Sequence, residues 1–319
     1  MTSARAVTWS SCLLAATGLL LCARANAAAV IVGSQQNGRI LDLQIASDAL
    51  QATVSTRILL PRHWDARPDA RWPVLYLLHG AKFDKSDGTP NATLWSTQTD
   101  VVDFTANSDI LIVMPEGGND GWYSDWYNDG FGGAPAWETF HLTELRQLFE
   151  RQLRASSVRA VAGVSMGGFG ALSYAARHPG MFAAAASFSG DLDTLDAWLL
   201  TSLPSFFNGD NMDLVWGNVF LSAARWNAHN PTALVGALAQ LPIFVASGNG
   251  TPGPLDAPGA PGDLLEPGVD QTSLTFVRAL GPLNPQLITD FYGNGTHTWP
   301  YWERELHRAF PMLAHALGQ

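Results

Sequence analysis

Five consecutive residues, Gly163-Val164-Ser165-Met166-Gly167, match G-x-S-x-G. An apolar β-type run, Val158 to Val164, enters the motif, and a helix-type run leaves it near Met166. A strand that turns abruptly into a helix has no room for a Cβ two residues either side of the turn, so both flanks are glycine. Such a turn holds the central serine in a strained conformation with its hydroxyl exposed above the sheet. The helix N-terminus behind it aims free N–H groups and partial positive charge at a reacting oxygen. Ser165 is the candidate nucleophile.

A serine hydroxyl is a poor nucleophile until a base takes its proton. Among the eight histidines, His297 is the candidate, in Gly293-Asn294-Gly295-Thr296-His297-Thr298-Trp299 just after the last predicted strand. His141, His178, His229, His307 and His315 fall on predicted helices or connecting loops and read as packing or surface residues; His63 precedes the core and has no assigned role. A carboxylate should orient the imidazole and stabilise its cation. It should follow the predicted strand Leu241 to Ala246, where Asp256, Asp263, Glu266 and Asp270 all qualify, and spacing alone does not choose among them. The resulting order, serine, acid, histidine, is that of an α/β-hydrolase. The developing oxyanion needs two backbone N–H donors. Met166 follows the nucleophile, and Ala81 lies in the loop His79-Gly80-Ala81 after another apolar run.

These residues need a scaffold. Arg39 to Ser47 and Gln51 to Leu60 alternate apolar and polar, predicting antiparallel edge strands. Trp72 to Leu78 and Ile110 to Met114 are continuous apolar runs, the pattern of parallel strands buried on both faces. Phe182 to Ser187, Leu241 to Ala246 and Leu287 to Phe291 complete the predicted strands, while Ala136 to Leu153 and Trp299 to Leu317 have helical spacing. The alternation predicts an α/β fold of the α/β-hydrolase type, with a mostly parallel central sheet and helices on both faces. Residues 191–240 break it. They carry Trp198, Leu203, Phe206, Phe207, Trp216, Phe220 and Trp226 with few charges, and are expected either to pack down or to form a helical, cap-like wall beside Ser165. Gly248 to Pro267 is a second irregular stretch, rich in Gly and Pro, of the kind that is functional or mobile.

Residues 1–27 read as a secretory signal peptide: Arg5, an apolar Ala6 to Leu21, and Ala25-Asn26-Ala27 as an A-x-A cleavage site. Residues 28–319 are then expected to be a single domain, secreted and extracellular. Both cysteines, Cys12 and Cys22, lie in the leader, which excludes disulfides and thiolate-bound metal from the mature chain. Of the 18 basic residues, Arg5 and Arg24 leave with it; 16 remain against 28 acidic ones, a net charge of −12. That argues against nucleic acid or anionic lipid as the main partner, and the apolar run is short for a membrane span.

Several segments together resemble a known family, the secreted esterases that include esterase D-like proteins and the antigen 85 mycolyltransferases. They are Ile112-Val-Met-Pro-Glu-Gly-Gly118, Trp122-Tyr-Ser-Asp-Trp-Tyr127, Trp137-Glu-Thr-Phe140, Gly163 to Leu172, Ser247-Gly-Asn-Gly-Thr-Pro252 and Asn294-Gly-Thr-His-Thr-Trp-Pro-Tyr-Trp302. Order and spacing agree from about Arg39 to the C-terminus. The resemblance implies Ser165 as nucleophile, His297 as base, and Ala81 and Met166 as oxyanion donors. It also implies the acid: Leu264-Leu265-Glu266 matches the family's F-L-E segment after G-N-G-T-P, so Glu266 leads and Asp256 is the alternative. The chain departs from the family where the mycolyltransferases use an Asp and an Arg to hold trehalose; His79 and Lys82 stand there, and Ser247 replaces a Cys. These changes point toward the family's general esterases.

The expected function is a secreted serine carboxylic ester hydrolase acting through an acyl-enzyme on a small-molecule, lipid or sugar ester, with no metal and no cofactor. The alternatives are an acyltransferase of the trehalose mycolyltransferase or diacylglycerol acyltransferase type, and a non-catalytic secreted binding protein on the same scaffold. Trp95, Trp126 and Trp299 are expected either to line an acceptor site or to be core aromatics.

Overall fold

The computed structural model describes residues 28–82, 89–206 and 212–319. The signal-peptide expectation, and Phe207 of the cap expectation, lie outside these residues. Nine strands among the described residues form one sheet: β1 Ala29–Asn37, β2 Ile40–Ser47, β3 Ala52–Leu59, β4 Trp72–Leu78, β5 Leu111–Pro115, β6 Ala155–Val164, β7 Ala184–Phe188, β8 Ile243–Ser247 and β9 Leu287–Phe291. Their spatial order is β1-β2-β3-β5-β4-β6-β7-β8-β9. The pairs from β1 through β3 to β5 are antiparallel. The pairs from β5 through β4, β6, β7 and β8 to β9 are parallel. The fold is that of an α/β-hydrolase.

The continuous apolar runs became the inner strands for the reason their composition gives. Every residue of β5, β7 and β8 is buried, as strands covered on both faces require. Two cores flank the sheet. One includes Tyr76, Phe169 and Trp216, the other Leu75, Phe188 and Leu306. The C-terminal helix, Trp299–Ala316, closes the second core with a stripe of Trp302, Leu306, Ala309 and Leu313.

Two elements differ from expectation. β1 had no counterpart among the predicted strands; it sits at the sheet edge, with Val30 and Val32 exposed. The helical run from Trp137 to Gln152 is not uniform, since Phe140–Leu145 winds as a π-helix. An ordinary helix turns only part of such a segment inward. Here five of the six π residues are buried, including the polar His141 and Glu144. Both are satisfied: His141 pairs with the Tyr174 hydroxyl at 2.9 Å and the Glu116 carbonyl at 2.8 Å, and Glu144 accepts from Ser47 and from the Ala49 N–H. The π turn thereby ties the helix to the antiparallel edge of the sheet.

Candidate functional site

The site is built where five parallel strands end, β4, β6, β7, β8 and β9. β6 ends at Val164, and Ser165 follows with φ 54° and ψ −125° before the helix Met166–Arg177 begins. A non-glycine residue at such φ is held there by its surroundings. The Ser165 N–H donates to the Phe188 carbonyl at the end of β7. Both flanking glycines are required by contact. A Cβ on Gly163 would lie 2.2 Å from the Gly167 oxygen, and a Cβ on Gly167 would lie 2.5 Å from the carbonyl oxygens of Leu78 and His79. Ser165 itself is 6% exposed.

The loop after β4 is fixed against this turn. A Cβ on Gly80 would come within 3.1 Å of Ser165 Cβ, so glycine lets the His79-Gly80-Ala81 backbone lie against the serine. The Trp95 indole N–H donates to the Leu78 carbonyl at 3.0 Å, and the Tyr123 hydroxyl to the His79 carbonyl at 2.9 Å. His79 itself is buried. Its Nδ1 donates to the Gly80 carbonyl at 2.7 Å, and its Nε2 accepts the Gly117 N–H at 2.8 Å. Burial holds its pKa below the usual value, against the pull of Glu116 and the Gly80 bond, so the ring is neutral and its tautomer is set by the two bonds. Gly80, with Ala81 next in the chain, and Met166 thus approach Ser165 from two elements. Met166 is the first residue of its helix, where N–H groups have no intrahelical partner, and its sulfur accepts the Trp122 N–H.

His297 lies in the turn between β9 and the C-terminal helix. Its Nδ1 is 2.6 Å from Glu266 Oε2. A carboxylate only accepts, so Nδ1 carries the proton and Nε2 is the basic nitrogen of the neutral ring. Nε2 is buried and has no hydrogen-bond partner among the described residues. Burial pushes the His297 pKa down. The bond to Glu266 and its charge, with Asp263 and Asp191, outweigh that, and the net direction is up. The Trp302 ring meets the imidazole edge-on at 4.9 Å.

Glu266 is fully buried and begins the helix Glu266–Leu280. Its second oxygen, Oε1, accepts from the Gly248 N–H at 2.7 Å, the Ser189 hydroxyl at 2.8 Å and the Tyr292 hydroxyl at 3.4 Å. These donors satisfy a buried carboxylate and fix its rotation. The other three carboxylates are occupied elsewhere. Asp256 accepts from the Gly253 N–H, the Thr296 hydroxyl and the Tyr301 hydroxyl, and these bonds overcome the effect of burial and lower its pKa. Asp263 accepts from the Leu265 and Glu266 N–H groups and, through its other oxygen, from the His297 N–H at 3.1 Å. It caps the acid's helix and anchors the base's loop at once. Asp270 accepts from Ser247 at 2.6 Å.

Reading the sequence did not single out Ser189, which follows β7 with φ 48°. Its hydroxyl accepts the Trp302 indole N–H at 3.1 Å while donating to Glu266. The available signal was positional: Ser189-Gly190-Asp191 directly follows a parallel strand, as Ser165 follows its own. Trp95 is a core residue, 1% exposed and packed edge-on to Trp299 at 5.3 Å, so it lines no acceptor site. Trp126 borders a surface groove of about 730 Å³ with Tyr127 and Arg225. Within residues 191–240, Trp216 and Trp226 pack down into the main core, whereas Phe220 and Leu221 are exposed.

Residues 47–313 match the family model described as "Putative esterase". The chain belongs to this esterase family. It is 32% identical over 259 residues, 77% of its own length and 76% of the relative's, to a protein of Mycobacterium intracellulare named diacylglycerol acyltransferase/mycolyltransferase Ag85B. An esterase of Mycobacterium tuberculosis is 34% identical over 227 residues, 69% of this chain and 48% of that protein. Among solved structures, Mycobacterium tuberculosis MPT51 superposes with a TM-score of 0.70 at 22% identity, covering 89% of this chain and 99% of that one. The esterase-family fold is therefore shared beyond the range of recognisable sequence, and the chain is an enzyme of the esterase and acyltransferase group.

Proposed function

We propose that this enzyme hydrolyses carboxylic esters through an acyl-enzyme on Ser165. Ser165 Oγ attacks the ester carbonyl and its proton passes to His297 Nε2. The imidazolium is stabilised by Glu266 through Nδ1–H, and the oxyanion by the N–H groups of Ala81 and Met166. Nε2 then protonates the leaving alcohol. A water, deprotonated by the same nitrogen, attacks the acyl carbon and releases the acid and Ser165. The observation that carries this reading is the Glu266–His297 pair, which leaves a buried Nε2, without a hydrogen-bond partner among the described residues, at the strand ends where Ser165 sits in its strained turn. The test is a fluorophosphonate probe with a panel of p-nitrophenyl esters. Wild type should be labelled and turn over; a folded Ser165→Ala protein should do neither. Labelling of that variant would move the nucleophile elsewhere, and a wild type that neither labels nor turns over would favour the binding-protein alternative.

Acyl transfer is the second reading, favoured by the name of the relative from Mycobacterium intracellulare. Water and a bound alcohol compete for the acyl-enzyme, and a transferase must hold the alcohol at attack distance. At the two positions where the mycolyltransferases hold sugar, this chain has His79, whose ring is committed beneath its own loop, and Lys82, whose ammonium donates to the Thr89 carbonyl at 2.8 Å. The expected outcome is hydrolysis of short- to medium-chain esters with little transfer. Supplying an acyl ester with millimolar trehalose and separating free acid from acylated sugar decides it; predominantly acylated trehalose would establish the transferase. Export is part of the proposal, and N-terminal sequencing of the protein from culture medium should begin at Ala28.

A further inference from the structure

Asp191 is a buried carboxyl group that the mechanism above does not use. It stands two residues beyond Ser189, on the loop that leaves β7. That loop is clamped to the acid's helix: the Leu192 N–H donates to the Thr272 hydroxyl, and the hydroxyls of Thr272 and Ser273 donate to the Gly190 carbonyl. Asp191 is 2% exposed, and its Oδ1 is buried without a hydrogen-bond partner among the described residues. Every other carboxylate around the site is engaged. Glu266 faces His297, Asp263 holds the His297 backbone, Asp270 holds Ser247, and Asp193 accepts from Asn230. Buried polar groups in folded proteins are nearly always paired, and an exception calls for a reason. A packing role supplies none, because an apolar residue of the same shape would fill the space more favourably.

We propose that Asp191 is a positioning residue that presents a second carboxylate to the His297 imidazole, adding to Glu266 in stabilising the imidazolium formed when Ser165 loses its proton. This rests on His297 being the base. No proton passes to Asp191 in the cycle; it moves from Ser165 Oγ to Nε2 and onward to the leaving alcohol, while Asp191 contributes charge. Ser189, two residues earlier, donates to the Glu266 carboxylate that pairs with His297, which brings the Asp191 loop to that pair; His297, from the loop after β9, and Glu266, from the helix packed on the Asp191 loop, are the charged groups that act on Asp191. Burial pushes the Asp191 pKa up, His297 pulls it back and Glu266 adds to the rise, leaving it at about 7. Asp191 in turn raises the pKa of His297. The two groups therefore titrate as a coupled pair rather than singly.

The experiment compares pH profiles of kcat/KM for wild type and Asp191→Asn. Removing the charge should lower the midpoint of the acid limb by about one pH unit, as expected for losing a nearby opposite charge, and reduce kcat/KM at the plateau. A purely structural residue would change thermal stability or the plateau and leave the midpoint in place. An unmoved midpoint in a folded variant would overturn the proposal. A second measurement needs neither that variant nor activity. In wild-type protein with carboxyl-labelled aspartate, NMR should show one carboxyl titrating near pH 7, moving to higher pH in His297→Gln. If no aspartate titrates above pH 5.5, or if the midpoint ignores the loss of His297, the inference fails. Turnover by Ser165→Ala would refute the acyl-enzyme instead, leaving the NMR result unaffected.

Discussion

At the scale of single residues, the informative contrast is between Glu266 and Asp256. Both follow β8 and both are hydrogen-bonded carboxylates, yet only Glu266 reaches the imidazole. Glu266→Gln preserves shape but removes the charge opposite Nδ1, so kcat should fall by about 10³–10⁴-fold. Asp256→Asn should leave kcat within a few-fold and act mainly on stability, through Thr296 and Tyr301. Steady-state kinetics on the two folded variants checks this, and reversed results would make Asp256 the acid. The pH profile belongs to this scale too. His297 must be neutral to accept the serine proton, and its pKa is raised. Activity should therefore climb through an acid limb lying above the reference value of about 6.5 and shared with Asp191, and a profile flat from pH 5 to 9 would argue against an imidazole base. The sign for stability is opposite. The folded state holds this proton more tightly, so the stabilisation is full below about 6.5 and is lost as pH rises through the folded-state value. Ser165 and His297 were legible because each sits in a short motif beside an apolar strand. The choice of acid was not legible from spacing, because it depends on which carboxylate the chain turns inward between Gly248 and Glu266; the family resemblance supplied it.

At the scale of elements, the strand-turn-helix unit was legible at the turn itself, where the strand ends at Val164 and the helix begins at Met166, while the strand starts three residues earlier than its apolar run. Its glycines and its apolar run encode the same geometry from both sides. The helix Met166–Arg177 cannot shift along the sheet, because Gly167 touches the backbone of β4's end and Gly163 touches Gly167. Gly167→Ala puts a methyl against two carbonyl oxygens, so a loss of about 1–3 kcal/mol is expected from overpacking. The same push displaces the His79-Gly80-Ala81 loop. Denaturant unfolding should report the lost stability, and kcat should fall at least tenfold without a matching rise in KM. If stability drops and kcat does not, the loop supplies no oxyanion donor. The π turn at Phe140–Leu145 escaped the sequence reading for a physical reason. Its residues carry ordinary helical spacing, and the wider winding is set by partners on other elements, Ser47, Ala49, Glu116 and Tyr174.

At the scale of the whole molecule, the parallel sheet was legible from its apolar runs, whereas residues 191–240 left two readings open. Part of that stretch packs down. The Ser173 hydroxyl donates to the His229 carbonyl, Arg177 donates to the Ala228 carbonyl, and the Trp226 indole donates to the Gly217 carbonyl. The packing leaves a chain of indoles: Trp122 and Trp216 meet at 5.7 Å and 65°, Trp216 and Trp226 at 5.0 Å and 70°. Aromatic rings so close and so inclined couple their electronic transitions as well as their surfaces. The protein should therefore show exciton coupling in its indole circular dichroism, shared with the second group formed by Trp95, Trp299 and Trp302; Trp216→Phe should remove the contribution of the first group while the amide signal of the sheet stays. The backbone N–H of Trp122 also donates to the sulfur of Met166, the residue after Ser165. The indole group is thus tethered through the Trp122 backbone to the residue that follows the nucleophile, and a change in its circular dichroism on acylation, read without any added dye, would report displacement of that tether.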